Sequence, residues 1–143
     1  MADFAKTVLV DTGFWYALYD KRDDNYEDAQ TKQRYLESAN ILIPWPSLYE
    51  TLNSRFAKSV LALRSFEALL RQTHVKLLAD EPYRDSALKA CFQTALVRSR
   101  PLALVDVVIR LILEDGNVRK HGLLTFNQGD FKDVCTAHRI EML

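Results

Sequence analysis

Glycine and proline are scarce, four of each in 143 residues. That excludes collagen-like and Gly/Pro-rich low-complexity chains. Disorder is excluded as well, because 48% of the residues are hydrophobic and only 27% charged. The two cysteines, Cys91 and Cys135, lie far apart and form no CxxC pair, so they make neither a disulfide framework nor a thiolate metal knuckle. Two reduced thiols suit a cytosolic protein. Neither sign of charge dominates, with 19 Lys and Arg against 19 Asp and Glu. No global basic excess advertises nucleic acid, although a local patch can sit inside a neutral total. No apolar run approaches the ~18 residues of a membrane helix, and the best candidate is split by Asp106 and Arg110. The N-terminus carries Asp3 and Asp11 and has no basic segment leading into an apolar run, so no signal peptide is expected. These absences predict a cytoplasmic protein without a membrane span.

What is present reads as one domain over residues 1–143, since a chain of this length can bury a core without staples. Thr7-Val8-Leu9-Val10 is a short apolar strand of the kind buried on both faces. Helical character begins near Phe14, and after a charged loop Asn25 is a candidate N-cap. Tyr26, Ala29, Gln33 and Leu36 then recur at helical spacing. Ile41-Leu42-Ile43-Pro44 is a second strand. From Pro46 the spacing of Leu48, Leu52 and Phe56 predicts a helix, and Leu61 to Thr73 repeats it. Val75 to Leu78 is a third strand and Tyr83 to Val97 an amphipathic helix. Pro101 can open a further helix that runs to Glu114, with Gly116 as its stop. Leu123-Leu124-Thr125 is a fourth strand, and Arg139 to Leu143 a candidate fifth. Alternating strands and helices, without repeat or linker, predict an α/β fold with a central, mainly parallel sheet covered by helices. In such sheets ligands bind beyond the carboxyl ends of the strands, where the strand order reverses.

Four acids stand out against that frame. Asp11 follows the first strand, where it can equally be an Asx-turn or helix cap. Glu50 follows the second strand, and Ser47-Leu48-Tyr49-Glu50 also fits a capping box in which Glu50 reaches back to the Ser47 amide. Asp106 lies in Pro101-Leu102-Ala103-Leu104-Val105-Asp106-Val107-Val108-Ile109, apolar on nearly every side, where a carboxylate is costly unless paired or metal-bound. Its alternative is an i,i+4 pair with Arg110. Asp130 follows the fourth strand before Phe131 and can be a turn or cap residue. One edge of an α/β sheet can gather all four. Clustered carboxylates repel, and without a cation some are forced to protonate. Hard oxygen ligands without His or Cys select Mg²⁺ or Mn²⁺ over zinc. A cation held that way meets phosphate oxygens, activates water and offsets developing phosphoryl charge, so metal-assisted phosphodiester hydrolysis is the expected chemistry.

These segments resemble the PIN-domain nucleases, most closely the single-domain prokaryotic members that act as VapC-type toxins of toxin–antitoxin pairs. The resemblance spans the whole chain. Val8-Leu9-Val10-Asp11-Thr12 is similar to the family's opening strand and first acid, and Ser47-Leu48-Tyr49-Glu50 to its second-acid segment. Leu104-Val105-Asp106-Val107-Val108-Ile109 resembles the third-acid helix, and Leu124-Thr125-Phe126-Asn127 through Asp130-Phe131 the closing motif. Gly13 departs from the pattern, because many members carry Ser or Asn there, and Asn127 stands where some carry an acid. The resemblance implies a three-layer α/β/α sandwich and a Mg²⁺-dependent endoribonuclease. In it Asp11 and Asp106 are primary metal ligands, and Glu50 and Asp130 complete the cluster directly or through water. Asn127 can ligate through its carbonyl or a water, and Thr125 can hydrogen-bond an acid or water of the site. The implied partners are an RNA substrate, a second copy of the chain in a homodimer, and a small antitoxin whose peptide fills the acidic groove.

Arg22, Arg55, Lys58, Arg98, Arg100 and Lys120 are candidates for RNA phosphates, or else solvated surface charges. Trp15, Tyr16 and Trp45 flank the first two motifs and can stack bases, or belong to the core or an interface. His74, His121 and His138 have no metal-ligand spacing. Two readings compete with the nuclease. One is a catalytically silent PIN-like scaffold that binds protein or RNA. The other is a receiver-like phosphoryl-transfer domain, but Asp11-Thr12-Gly13 lacks the second acid that an aspartyl-phosphate enzyme places two residues on. No P-loop or GxGxxG supports nucleotide binding.

Overall fold

A computed structural model describes residues 6–97 and 101–143. Five strands form one sheet: β1 (Thr7–Val10), β2 (Asn40–Pro44), β3 (Val75–Leu78), β4 (Gly122–Leu124) and β5 (Glu141–Met142). Their order is β3-β2-β1-β4-β5, and every pairing is parallel. The helices are α1 (Thr12–Tyr19), α2 (Tyr26–Lys32), α3 (Arg34–Ser38), α4 (Trp45–Thr51), α5 (Ser54–Ala57), α6 (Val60–Leu70), α7 (Arg84–Val97), α8 (Leu104–Glu114) and α9 (Lys132–Ala137).

The expected α/β/α sandwich follows from side-chain alternation along the strands. Val8, Val10, Ile41, Ile43 and Leu124 point into one core with Phe14, Trp15, Phe56 and Phe66. Leu9, Leu42 and Leu123 point the other way, into a core with Ile109, Ile112, Leu113 and Phe131. Because each central strand is covered on both faces, its sequence is a continuous apolar run. Strand order reverses beside β1: the chain first winds outward through β2 and β3, then crosses back to β4 on the other side. The crevice beyond β1 and β4 is therefore the expected site.

Several element boundaries differ from expectation. The helix expected across Tyr26 to Leu36 is two helices meeting at Gln33, and the one beginning near Pro46 stops at Thr51 before a short α5 capped by Asn53. Asn53 Oδ1 accepts from the amides of Arg55 and Phe56, which draws the chain out of α4's path. A 3₁₀ turn at Glu81–Tyr83 precedes α7, and β4 starts one residue earlier than expected. Pro101 does not open α8, which begins at Leu104 with Ala103 as an extended N-cap. No helix among the described residues is long and apolar enough to cross a membrane.

Candidate active site

Asp11 leaves β1 as the N-cap of α1, so the cap expected of it is real. Its Oδ1 accepts from the Thr12 amide at 2.8 Å and its Oδ2 from the Thr125 hydroxyl at 2.9 Å. The backbone stitches the same two strand ends, since the Asp11 amide donates to the Leu124 carbonyl at 3.0 Å. Asp11 is 6% exposed. Burial, less the help of these two donors, pushes its carboxyl above the usual range, and the charges of Glu50 and Asp130 push it further. The helix cap and the expected acid thus fall on one side chain.

Glu50 reaches this group through Thr12, whose hydroxyl donates to Glu50 Oε1 at 3.0 Å. The capping box expected with Ser47 does not form. Pro44 is the N-cap of α4, so Ser47 is already inside the helix, buried with its hydroxyl unpartnered. The Glu50 carbonyl is in turn gripped by the Tyr16 hydroxyl at 2.7 Å and by Asn53 Nδ2 at 2.9 Å. Thr12, Tyr16 and Asn53 were not assigned these supporting roles from the sequence. The Asn53-Ser54 cap signal after α4 was the one available clue.

Asp130 is buried in a 3₁₀ turn after β4. Its Oδ2 accepts from Asn127 Nδ2 at 2.6 Å, and Thr125 Oγ1 accepts from the Asn127 amide at 2.9 Å. Thr125 is therefore more than a strand-end threonine: it ties Asp11 to the loop that holds Asp130. Arg110 braces that loop by donating to the Asp130 carbonyl at 2.7 Å while forking onto both oxygens of Asp133 at 2.8 and 2.7 Å. Arg110, expected as an i,i+4 partner of Asp106, is engaged in this bridge between α8 and α9. Asp133 is held down at about 2 by the guanidinium.

Asp106 lies in the first turn of α8, half-buried, so the helix start is less enclosed than its apolar sequence predicts; Leu104 is exposed there. α8 ends a short loop before β4 begins, which puts its first turn toward the carboxyl edge of the sheet, and it packs against α4. Among the described residues, no three of His, Cys, Asp and Glu converge tightly enough to hold a metal ion. The structure thus links Asp11 to Glu50 through Thr12 and to the Asp130 loop through Thr125 and Asn127, and puts Asp106 on a neighbouring helix.

The expected substrate contacts divide. Arg55 and Asp11 line one open cleft, and Arg55 is ion-paired with Asp20 at 3.0 Å. Arg22 also meets Asp20, at 3.3 Å, and Lys58 is exposed at the end of α5. Lys120 is excluded from the site: it precedes β4, hence lies at the opposite edge of the sheet, and donates to the Val118 carbonyl at 2.8 Å. Arg98 and Arg100 fall outside the described residues. Trp15 is fully buried and unavailable for stacking, whereas Tyr16 is partly exposed and Trp45 lies exposed beside Tyr49. His74 meets the Leu36 carbonyl at 2.7 Å, and His121 Nδ1 accepts from the Thr7 amide at 3.0 Å, so both are structural.

The fold is that of the VapC-type PIN domains. It is similar to VapC20 of Mycobacterium tuberculosis, a Sarcin-Ricin loop cleaving toxin, with a TM-score of 0.62 and 16% identity over 88% of this chain and 94% of that one. It is also similar to VapBC2 of Rickettsia felis, solved bound to a DNA fragment from its promoter, with a TM-score of 0.59 and 15% identity over 96% and 97% of the two chains. No protein-family model and no curated protein matches the sequence.

Proposed function

We propose that the chain is a Mg²⁺- or Mn²⁺-dependent endoribonuclease and the toxin of a toxin–antitoxin pair. The observation that carries this reading is the environment of Asp11: a buried carboxylate at the reversal of strand order, repelled by Glu50 and Asp130. Such a group is stabilised by a cation. The all-oxygen donor set of Asp11, Glu50, Asp106 and Asp130 suits a hard divalent ion. When bound, that ion supplies an activated water and charge compensation at the phosphate. The rest falls to the protein. Thr12 and Thr125 fix the Asp11 carboxylate, Thr12 and Tyr16 fix Glu50, and Asn127 with Arg110 fixes the Asp130 turn. Arg55, on the wall of the adjoining cleft, takes up RNA phosphate.

The partners proposed with this role are RNA, a cognate antitoxin and a second copy of the chain. Leu88, Phe92 and Leu96 are exposed at helical spacing on α7, an apolar stripe suited to a protein partner. A second reading, the catalytically silent scaffold binding RNA or protein, is favoured by the absence of a metal-ready trio among the described residues.

The test is cleavage of a structured RNA mixture with Mg²⁺ or Mn²⁺ and with EDTA, by the wild type, Asp11→Asn and Asp106→Asn. The nuclease reading expects metal-dependent cleavage that both variants lose. Equal cleavage by all three signals a contaminating RNase. No cleavage by any of them, joined to no metal binding by calorimetry, leaves the scaffold.

A further inference from the structure

Asp20 closes α1 as its C-cap, and two arginines share its carboxylate. Oδ1 accepts from the Arg22 amide at 3.0 Å and from Arg22 Nε at 3.3 Å, while Oδ2 accepts from Arg55 Nη2 at 3.0 Å. These donors, the Arg22 amide foremost, hold the Asp20 carboxyl below the usual carboxylate range, so it is charged at neutral pH. The three side chains border a cavity of about 150 Å³ with Tyr19, Phe56 and Ser59. Among the described residues on its walls, Asp20 is the one acid against two cations. At about 30 Å³ per water, the cavity has room for about five waters or a group of that size. Tyr16 and Arg55 line both this cavity and the cleft beside Asp11, so a chain lying across the acids passes the arginine pair. The guanidiniums are open to it: the Arg22 and Arg55 side chains are 84% and 69% exposed, that of Asp20 only 21%.

We infer that Asp20 is a built-in competitor of the substrate: its carboxylate stands in the seat of an RNA phosphate between Arg22 and Arg55 until an incoming phosphodiester displaces it. The inference rests on the nuclease reading for its ligand and adds a control on how tightly RNA is held. Chemistry favours the exchange. Each guanidinium spends a single N–H on Asp20, whereas a phosphate can take two parallel bonds from each. Exposed ion pairs like those at Asp20 are weak, so little is lost when they open. Both partners stay anchored afterwards. Asp20 keeps the Arg22 amide, and Arg55 keeps its place over Tyr16, with the guanidinium 5.9 Å from the ring centre. Until RNA arrives, the carboxylate holds both cations paired and so weakens their pull on other polyanions.

The test measures binding of two probes to the full chain in EDTA: a fluorescein-labelled RNA hairpin by anisotropy and inorganic tripolyphosphate by calorimetry. Asp20→Asn is expected to bind both about three- to tenfold tighter than the wild type. Its carboxamide oxygen still accepts the Arg22 amide, so the melting temperature is kept, and Asp20→Ser is the second variant. Asp24→Asn, the same change of charge at an exposed acid nearby, should alter binding less than about twofold. Replacing both arginines, Arg22→Gln with Arg55→Gln, should weaken both probes about tenfold or more. It should also abolish the gain from Asp20→Asn, since groups in direct contact are coupled in a double-mutant cycle. The inference is overturned if Asp20→Asn and Asp20→Ser bind no tighter, which makes the carboxylate a brace for Arg55. It is overturned equally if the gain survives the loss of both arginines, or if neither probe binds. Turnover plays no part in these measurements. The expected tripolyphosphate pattern without metal-dependent RNA cleavage would mark failure of the nuclease reading alone.

Discussion

Thr125 donates its hydroxyl hydrogen to Asp11 across 114 residues of chain, Oγ1 to Oδ2 at 2.9 Å, while accepting the amide of Asn127. Both partners are buried, so this one hydroxyl ties the ends of β1 and β4 and the Asp130 loop into a single unit. Thr125→Val keeps the shape but strands a carboxylate oxygen and an amide. We expect a loss of about 2–3 kcal/mol in urea unfolding, whereas Thr125→Ser stays within about 1 kcal/mol. RNA cleavage should fall at least tenfold in the valine variant only.

Burial of Asp11 carries a cost in stability. An acid whose folded pKa is raised costs stability wherever it is ionised. That cost is full above the folded pKa and fades as pH falls through it toward the unfolded value of about 3.9. Asp11→Asn removes the charge while its Oδ1 still accepts from Thr12 and its Nδ2 donates to Thr125. In EDTA at pH 7.5 the variant should melt higher than the wild type by a few degrees, and the gap should close by about pH 4. Saturating Mg²⁺ or Mn²⁺ should raise the wild type alone. A variant that melts lower at neutral pH would refute this account.

The Arg110–Asp133 fork joins α8 to α9 and, through the Asp130 carbonyl, the acidic loop. Asp133 titrates below an unfolded aspartate, at about 2. Its contribution is therefore present above about pH 4 and lost as pH falls toward 2. Because Asp133 is well exposed, that contribution is discounted to about 1 kcal/mol or less. Asp133→Asn should lower stability by that amount at pH 7 and not at all near pH 2, measured by urea unfolding at both pH values.

Ser47 separates two accounts of the second acidic motif. A capping-box serine costs about 1 kcal/mol when replaced by alanine. In the structure its hydroxyl is buried and unpartnered inside α4. Ser47→Ala should therefore be neutral or gain up to about 1 kcal/mol, and the sign of the change in melting temperature decides between them.

Much of this was legible along the chain. Each central strand was a short, mostly apolar run, because strands covered on both faces need few polar residues, and each of Asp11, Glu50 and Asp130 followed such a run. Local geometry was harder to read. Ser47-Leu48-Tyr49-Glu50 matched a capping box in letters, yet Trp45 and Pro46 already form the first turn, which puts Ser47 too deep to cap. Trp15 looked like a stacking residue until burial in the core between β1 and α6 removed it. Lys120 looked free until its place before β4 put it at the wrong edge.

The sequence by itself determined the α/β class, with a mainly parallel sheet under helices, and the order of the acids, because hydrophobic periodicity and strand-end position are local properties. Only the tertiary structure decided which groups meet. Parallel pairing of β1 with β4 brings Thr125 to Asp11, the turn into α1 brings Thr12 to Glu50, and the bridge to α9 turns the Arg110 side chain onto Asp133.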